Sequence, residues 1–492
     1  MIGCEPGLSP GPSSATTETN ASNDSHSNAV IVAYCSDCHQ APDPNAFSKA
    51  DWPREVHRGY RFQIELGRDG LETPPVSETV HYYVSLAPQT LPQPRPIPFA
   101  IDQESRFRRS SIDVPSANGA ALAFISWQKD PRTGIPQMFF SDMMGGVVQA
   151  WAPHSLQFEV LCETPHPAGI EWCDLDSDGL TDLVVSDLGS FQPADDDEGK
   201  ILWLRQTQNG KFEALSIAEG LGRVSESRTA DFNNDGLVDI VVAEFGWIQT
   251  GNILLFFQRL SESGVRTFEK LVVDERHGTI RVPPLDLDGN GLMDFVALVS
   301  QEHEAVDVFL NRGNSRFERI PLCNAGDPAF GFSGLQPADL DNDGDTDFIV
   351  SNGDMFDSFS IKPYHGLKWL QNHGSLKFTE HPLLIMPGVH GIATGDLDND
   401  GDTDIVASAF FPQTLLLQMS EPERNAVVSA IWLEQTGPGD FQPHLIEQGQ
   451  PSHACACVAD ADSDGDLDVI LGNFAAGASE AGEPFVIFEN AL

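Results

Sequence analysis

The chain has 492 residues, with 28 Lys and Arg against 73 Asp and Glu, and a formal net charge of −45 at neutral pH. Such acidity disfavours nucleic acid or an anionic membrane surface as a partner. No apolar run approaches the length of a membrane span.

Residues 1–29 are poor in apolar side chains and rich in Ser, Thr, Asn, Gly and Pro, which predicts a flexible tether. Met1-Ile2-Gly3-Cys4 resembles the tail of a bacterial lipobox, which implies a lipid anchor at Cys4; the hydrophobic region that should precede it is missing, and an incidental Cys is the other reading.

Tyr34-Cys35-Ser36-Asp37-Cys38-His39 contains Cys-x-x-Cys-His, the attachment signature of c-type haem. Cys35 and Cys38 stand one helical turn apart and can form thioethers to the vinyl groups of one haem, with His39 as proximal iron ligand. SETVHYYVSLAP, residues 77–88, predicts a short helix with Val80, Tyr83 and Val84 on one face, ended by Pro88. Together these features resemble a small monohaem cytochrome c spanning residues 30–92, and the resemblance implies electron transfer with a redox partner. There is no Met between residues 2 and 137. His57 and His81 are therefore the candidates for the sixth ligand, beside an open position, and loss of Met ligation lowers the potential. A disulfide, a redox thiol pair or an incomplete zinc site are the other readings of the Cys motif.

Residues 93–107 predict a Pro-rich linker, with PIPFAID at 96–102 as a candidate strand closing the domain that follows. Residues 108–166 hold four strand-like runs, SSIDVPS, ALAFISW, QMFFSDM and FEVLCET, with Ala117-Asn-Gly-Ala120 between the first two.

From residue 174 a nine-residue sentence, Asp-x-Asp/Asn-x-Asp/Asn-Gly-x-x-Asp, occurs six times, its starts 57, 55, 53, 57 and 64 residues apart. Positions 1, 3, 5 and 9 are Asp174, Asp176, Asp178 and Asp182; Asp231, Asn233, Asp235 and Asp239; and Asp286, Asp288, Asn290 and Asp294. The last three copies give Asp339, Asp341, Asp343 and Asp347; Asp396, Asp398, Asp400 and Asp404; and Asp460, Asp462, Asp464 and Asp468. Alternating carboxylates and amides aim hard oxygens at one centre, and the Gly at position 6 permits the turn that brings position 9 back. With no Cys or His among these positions, the donor set favours Ca²⁺. Acidic β-turns without metal are the competing reading, but 22 carboxylates in six loops would repel one another. Six Ca²⁺ ions would bring the formal charge from −45 to −33.

Each loop is followed by a short β-branched run such as LVVSDLG, then by further strand-like segments, four per period with no helical stretch. That pattern describes a β-propeller blade. The sequence here resembles the FG-GAP or VCBS repeat family, which includes the integrin α-subunit propeller, over about three quarters of the chain. The resemblance places the Ca²⁺ loop between the first two strands of each blade. Counting 108–166 as a blade that lacks its loop, residues 108–492 form a seven-bladed all-β propeller behind a small α-helical unit.

His166, His277, His390 and His453 stand before the loops, with Glu171 and Arg228 further along the strands expected to line the channel. No nucleophile elbow, zincin helix, phosphate loop or dinucleotide fingerprint is present. The leading expectation is an exported, calcium-binding propeller scaffold for a protein or polysaccharide, coupled to haem, in the bacterial periplasm or on the cell surface. The alternative is an enzymatic propeller, a calcium-dependent polysaccharide lyase or a haem-linked dehydrogenase. The five cysteines other than Cys4, Cys35 and Cys38 permit disulfides in that compartment. Cys162 and Cys173 are the candidate pair, whereas Cys455 and Cys457 share one strand face and read as buried thiols.

Overall fold

The computed structural model describes residues 17–37, 39–67, 70–95, 97–99, 106–110, 120–153, 155, 157–356, 358–474 and 483–491. Two compact units divide the chain, Met1–Leu91 and Pro92–Leu492.

The first unit contains helices Thr17–Cys35, Trp52–Glu65 and Val76–Leu86. Pro53 and Glu55 in the first turn suit the start of the second helix, where an N–H is spare and the helix dipole favours negative charge. Ile31, Tyr34, Trp52, Val56 and Tyr83 are buried, and Trp52 stacks on Tyr83 with ring centroids 4.0 Å apart. Residues 17–29 are helical here rather than a tether. Ile31 and Tyr34, one turn apart and both buried, anchor the C-terminal end of that helix against the unit. Cys4 and the rest of residues 1–16 lie outside the described residues.

The second unit is a seven-bladed propeller of four-stranded antiparallel sheets. In blades 2 to 6 the second strand, Asp182–Asp187, Asp239–Glu244, Asp294–Val299, Asp347–Asn352 and Asp404–Ala409, is buried at every position. Each is covered on both faces by neighbouring blades, which is why these segments read as continuous apolar runs instead of alternating ones. The outermost strands, such as Phe212–Leu221, alternate with solvent.

Blade 1 comprises Leu122–Lys129, Pro136–Asp142, Val147–Trp151 and Glu159–Glu163. The sequence reading placed its first strand at SSIDVPS and overlooked Val147–Trp151, so the blade begins later than expected. Its first hairpin therefore falls at residues 130–135, not at 117–120. There Arg132 bridges Asp130 at 2.8 Å and also contacts Glu159. This hairpin carries its own cation, and the pair holds the Asp130 carboxyl below its usual range despite burial.

Blade 7 takes its outer strand from the beginning of the unit. Phe107–Ser110 pairs antiparallel with Phe485–Asn490, Phe107 opposite Asn490 and Ser110 opposite Ile487. The closing strand is thus Phe107–Ser110 and not 96–102. Only 97–99 of that expected segment is described, where Ile97 and Phe99 pack against the cluster containing Trp369 and Ile431. Closure in this manner removes an exposed sheet edge.

Two further departures have local causes. The inner strand of blade 4 is broken into Thr279–Arg281 and Pro284–Leu285, because Pro283 and Pro284 interrupt the ladder. Blade 6 carries helices Gln413–Leu416 and Glu421–Asn425 where no helix was expected; the latter starts at a capping box of Ser420 and Glu423. Cys162 and Cys173 are free, as are Cys455 and Cys457. Cys162 ends up on the outermost strand of blade 1 and Cys173 on the innermost strand of blade 2.

Candidate metal centres

Every acidic loop joins the innermost strand of its blade to the second. The loop at 174–182 leaves strand Pro167–Cys173 and enters Asp182–Asp187; the other five repeat this placement. Position 1 caps the turn: Asp174 accepts from the Asp178 and Gly179 backbone N–H groups, both at 3.0 Å. Asp231, Asp286, Asp339 and Asp396 do the same, at 2.8–3.2 Å. Gly at position 6 has φ between 82° and 103° in all six loops. Position 4, which the sequence reading passed over, is also left-handed: Ser177, Asn234, Asn342, Asn399 and Ser463 have φ of 55–68°, and Gly289 replaces them in the third loop. Asn and Gly tolerate that backbone best, which explains their recurrence there.

Position 9 is the buried anchor. Asp182, Asp239, Asp294, Asp347, Asp404 and Asp468 are all inaccessible to solvent. One oxygen accepts from the backbone N–H of loop position 2 at 2.8–3.2 Å. The other accepts from a backbone N–H of the third strand at 2.6–2.9 Å. Burial pushes Asp239, Asp347, Asp404 and Asp468 up to about 6, and raises Asp182 and Asp294 as well. A buried carboxylate that must stay ionised needs a cation.

The loops also join blades. The side-chain amides of Gln258, Asn311, Gln435 and Asn490 donate to the position-2 carbonyls Leu175, Phe232, Leu340 and Leu397 of the preceding blade, at 2.7–3.0 Å. These third-strand Gln and Asn residues are a recurring part of the site that spacing alone did not single out.

Carboxylates at positions 1, 3 and 9 converge: in the loops starting at Asp174, Asp286, Asp339 and Asp396 they offer oxygens within 4.8 Å of one another. Their surroundings differ. Guanidinium groups touch the first three loops, Arg205 on Asp176 at 2.6 Å, Arg259 on Asp235 at 3.3 Å and Arg312 on Asp288 at 2.6 Å. In blade 6, burial, then Asp400 and Glu434, push Asp398 up. A guanidinium competes with a bound cation, and an extra carboxylate favours one.

The FG-GAP-like repeat matches residues 174–242 and 286–350, two stretches that each open on one of these loops. The chain carries FG-GAP-like repeats. No curated protein matches it. Two solved structures, both of BBS1N in complex with ARL6DN, one soaked with mercury and one with lead, are 10% and 11% identical to it. Each has a TM-score of 0.46 and covers 79% of this chain and 98% of its own.

Inside the FG-GAP-like propeller, the innermost strands line a cavity of about 510 Å³. Arg228 and Glu171 meet there, at 2.8 Å, and Arg228 also contacts Glu226 at 2.9 Å. Arg281 completes the cluster, 3.0 Å from Glu226, so these charges are mutually satisfied. The four rim histidines form no ring. His166 and His390 each place Nδ1 2.9 Å from a backbone carbonyl, of Met143 and Gly388. His453 lies 2.7 Å from Glu447, and His277 lies 2.7 Å from Glu302.

In the helical unit, Cys35 is half-buried and burial raises its thiol. Cys38 lies outside the described residues. His39 places Nδ1 2.7 Å from the Gln40 carbonyl, and His57 and His81 are exposed, with His57 Nδ1 against the Pro53 carbonyl. The thiol and imidazole donors suit a haem c. Tyr83, beside Cys35, is stacked on Trp52.

No described helix is long and apolar enough to cross a membrane.

Proposed function

We propose that the FG-GAP-like propeller is a calcium-stapled platform for a protein or polysaccharide ligand, exported to the periplasm or cell surface, with an N-terminal unit that holds one haem c for electron transfer. The observation that carries the calcium reading is the inaccessible carboxylate at position 9 of all six loops, raised by burial, which in the loops starting at Asp174, Asp286, Asp339 and Asp396 meets two further carboxylates. Up to six Ca²⁺ ions would neutralise these clusters and, through the amide links to the preceding blade, fix one blade against the next. Their role is structural. In the haem unit, Cys35 and Cys38 would hold the group and His39 would meet its iron; bound haem supplies a one-electron couple. The lipid anchor expected at Cys4 would tether the whole to a membrane surface.

Calcium content tests the platform. Asp398→Ala is expected to lower bound calcium by one ion per chain and leave the other loops filled, as in a modular array. Arg205→Gln is expected to tighten the loop at 174–182 by about two- to fivefold, the size of a partly exposed ion pair. An unchanged calcium content in Asp398→Ala would count against filled loops. Covalent haem staining of protein made in a host that matures haem c tests the second half. The wild type should stain and show a redox-sensitive Soret band, and His39→Ala should lose the normal spectrum. A fully matured preparation without haem rejects the cytochrome reading and leaves the propeller reading intact.

A further inference from the structure

At the end of the strands opposite the acidic loops, two histidines and a glutamate meet. His277 lies in the connection from blade 3 to blade 4, between Arg266–Asp274 and Thr279–Arg281. Glu302 and His303 lie in the turn between the second and third strands of blade 4, Asp294–Val299 and Ala305–Asn311. We propose that His277, Glu302 and His303 bind one divalent transition-metal ion of the zinc class, leaving coordination positions for an oxygen ligand from outside the chain.

The donor set comes first. Two imidazoles and a carboxylate are the protein ligands of open zinc and non-haem iron sites, whereas Ca²⁺ prefers an all-oxygen shell. One ligand atom from each residue lies within 4.8 Å of the others. Donors sharing an ion bound at about 2.0–2.2 Å sit about 3–4 Å apart, so small side-chain rotations suffice.

Hydrogen bonding points the same way. His277 Nε2 is 2.7 Å from the Glu302 carboxylate, yet it is buried and makes no aligned hydrogen bond. His303 Nε2 is likewise buried without a hydrogen-bond partner. The two rings stand 5.0 Å apart. Buried imidazole nitrogens without an aligned hydrogen-bond partner, beside a carboxylate, are an unfavourable arrangement for a bare protein and a favourable one around a cation.

The backbone is built to hold it. Gly278 donates to the Phe245 carbonyl at 2.8 Å and accepts from Ser300 at 2.7 Å, which fixes His277 beside the blade 4 turn. Gly251, at φ 122°, lets blade 3 approach: a Cβ there would lie 2.6 Å from the Cβ of His277. Gln301 and Glu304, flanking Glu302 and His303, have φ of 55° and 40°, a left-handed backbone costly for such residues. Nearby Arg276 does not repel a cation unopposed, because it bridges Asp274 at 2.9 Å and Asp307 at 2.7 Å. Side chains of His277 and Glu302 remain 14% and 23% exposed, so an ion and an external oxygen can reach them.

The full chain, stripped of metal and then held in excess Ca²⁺ to saturate the acidic loops, should be titrated with Co²⁺ while visible d–d absorption is followed. One saturable band is expected, displaced by Zn²⁺. Glu302→Gln and His303→Asn should each weaken it by about tenfold or more, at least the loss seen when metal-site support is removed. Calcium content and circular dichroism, read on the same samples, should match the wild type; a variant that misfolds is replaced by His277→Asn, read the same way. Absence of a saturable band in the wild type, or folded variants that bind as the wild type does, would overturn the site.

Discussion

Chelation with EGTA is expected to lower the melting temperature of the propeller by about 10 °C or more. A site filled at a hundred times its Kd adds about 2.7 kcal/mol, because calcium binds the native loop and not the unfolded chain. Several such sites act together, at roughly 2 °C per kcal/mol for a large domain. The dependence on pH gives the sharper measurement. Asp239, Asp347, Asp404 and Asp468 are held at about 6 in the folded chain by burial, against about 3.9 in an unfolded one. Between those values the folded state keeps protons that the unfolded state has released. Their contribution to the stability of the calcium-free protein therefore falls as pH rises from about 4 to about 6, and is gone above that interval. Calcium binds the carboxylate form and opposes the trend. Repulsion across a surface of −45 formal charge acts in the same direction, so the discriminating quantity is the difference between melts with calcium and with EGTA. That difference should widen from pH 4.5 to pH 7. A melt insensitive to EGTA at both values would reject filled loops.

The acidic sentence was legible because each of its constraints is local. A turn needing Gly at position 6 and oxygens at 1, 3, 5 and 9 writes itself into nine consecutive residues. Position 4 was equally local, yet Ser, Asn and Gly share a backbone conformation and not a chemistry, so the pattern hid. The rest depended on neighbours distant in sequence. That Gln258 and Asn490 reach the preceding blade, at Leu175 and Leu397, follows only from the stacking of blades. Blade 1 was found but mis-phased: its first hairpin holds the Arg132–Asp130 ion pair in place of an acidic loop, so nothing marked where that hairpin fell. Glu302 and His303 escaped notice for a related reason. They adjoin His277 only because the turn of blade 4 packs on the connection from blade 3, and neither segment carries a repeated motif.

Opening the ring at blade 7 should cost more than losing any single loop. Phe107 is 6% exposed, sits edge-on to Trp432 with centroids 5.8 Å apart, and belongs to the cluster containing Val469, Val486 and Phe488. Phe107→Ala alone is expected to cost about 3–5 kcal/mol, the range for truncating a buried aromatic. Removing the strand altogether does more. Arg106 donates to Asn490 at 2.8 Å and to the Leu397 carbonyl at 3.1 Å, and Asn490 in turn anchors Asp468 of the last acidic loop through a 2.9 Å backbone contact. Without residues 106–110, strand Phe485–Asn490 becomes a bare edge and the last loop loses the bracing of its position-9 anchor. A chain starting at residue 92 should therefore unfold in one cooperative, calcium-dependent transition, because it keeps the closing strand. A chain starting at residue 111 should unfold at markedly lower denaturant, bind less calcium and self-associate through the exposed edge. Denaturant melts and size-exclusion chromatography of the two chains decide the matter: equal midpoints would mean that the ring closes by some contact other than Phe107–Ser110.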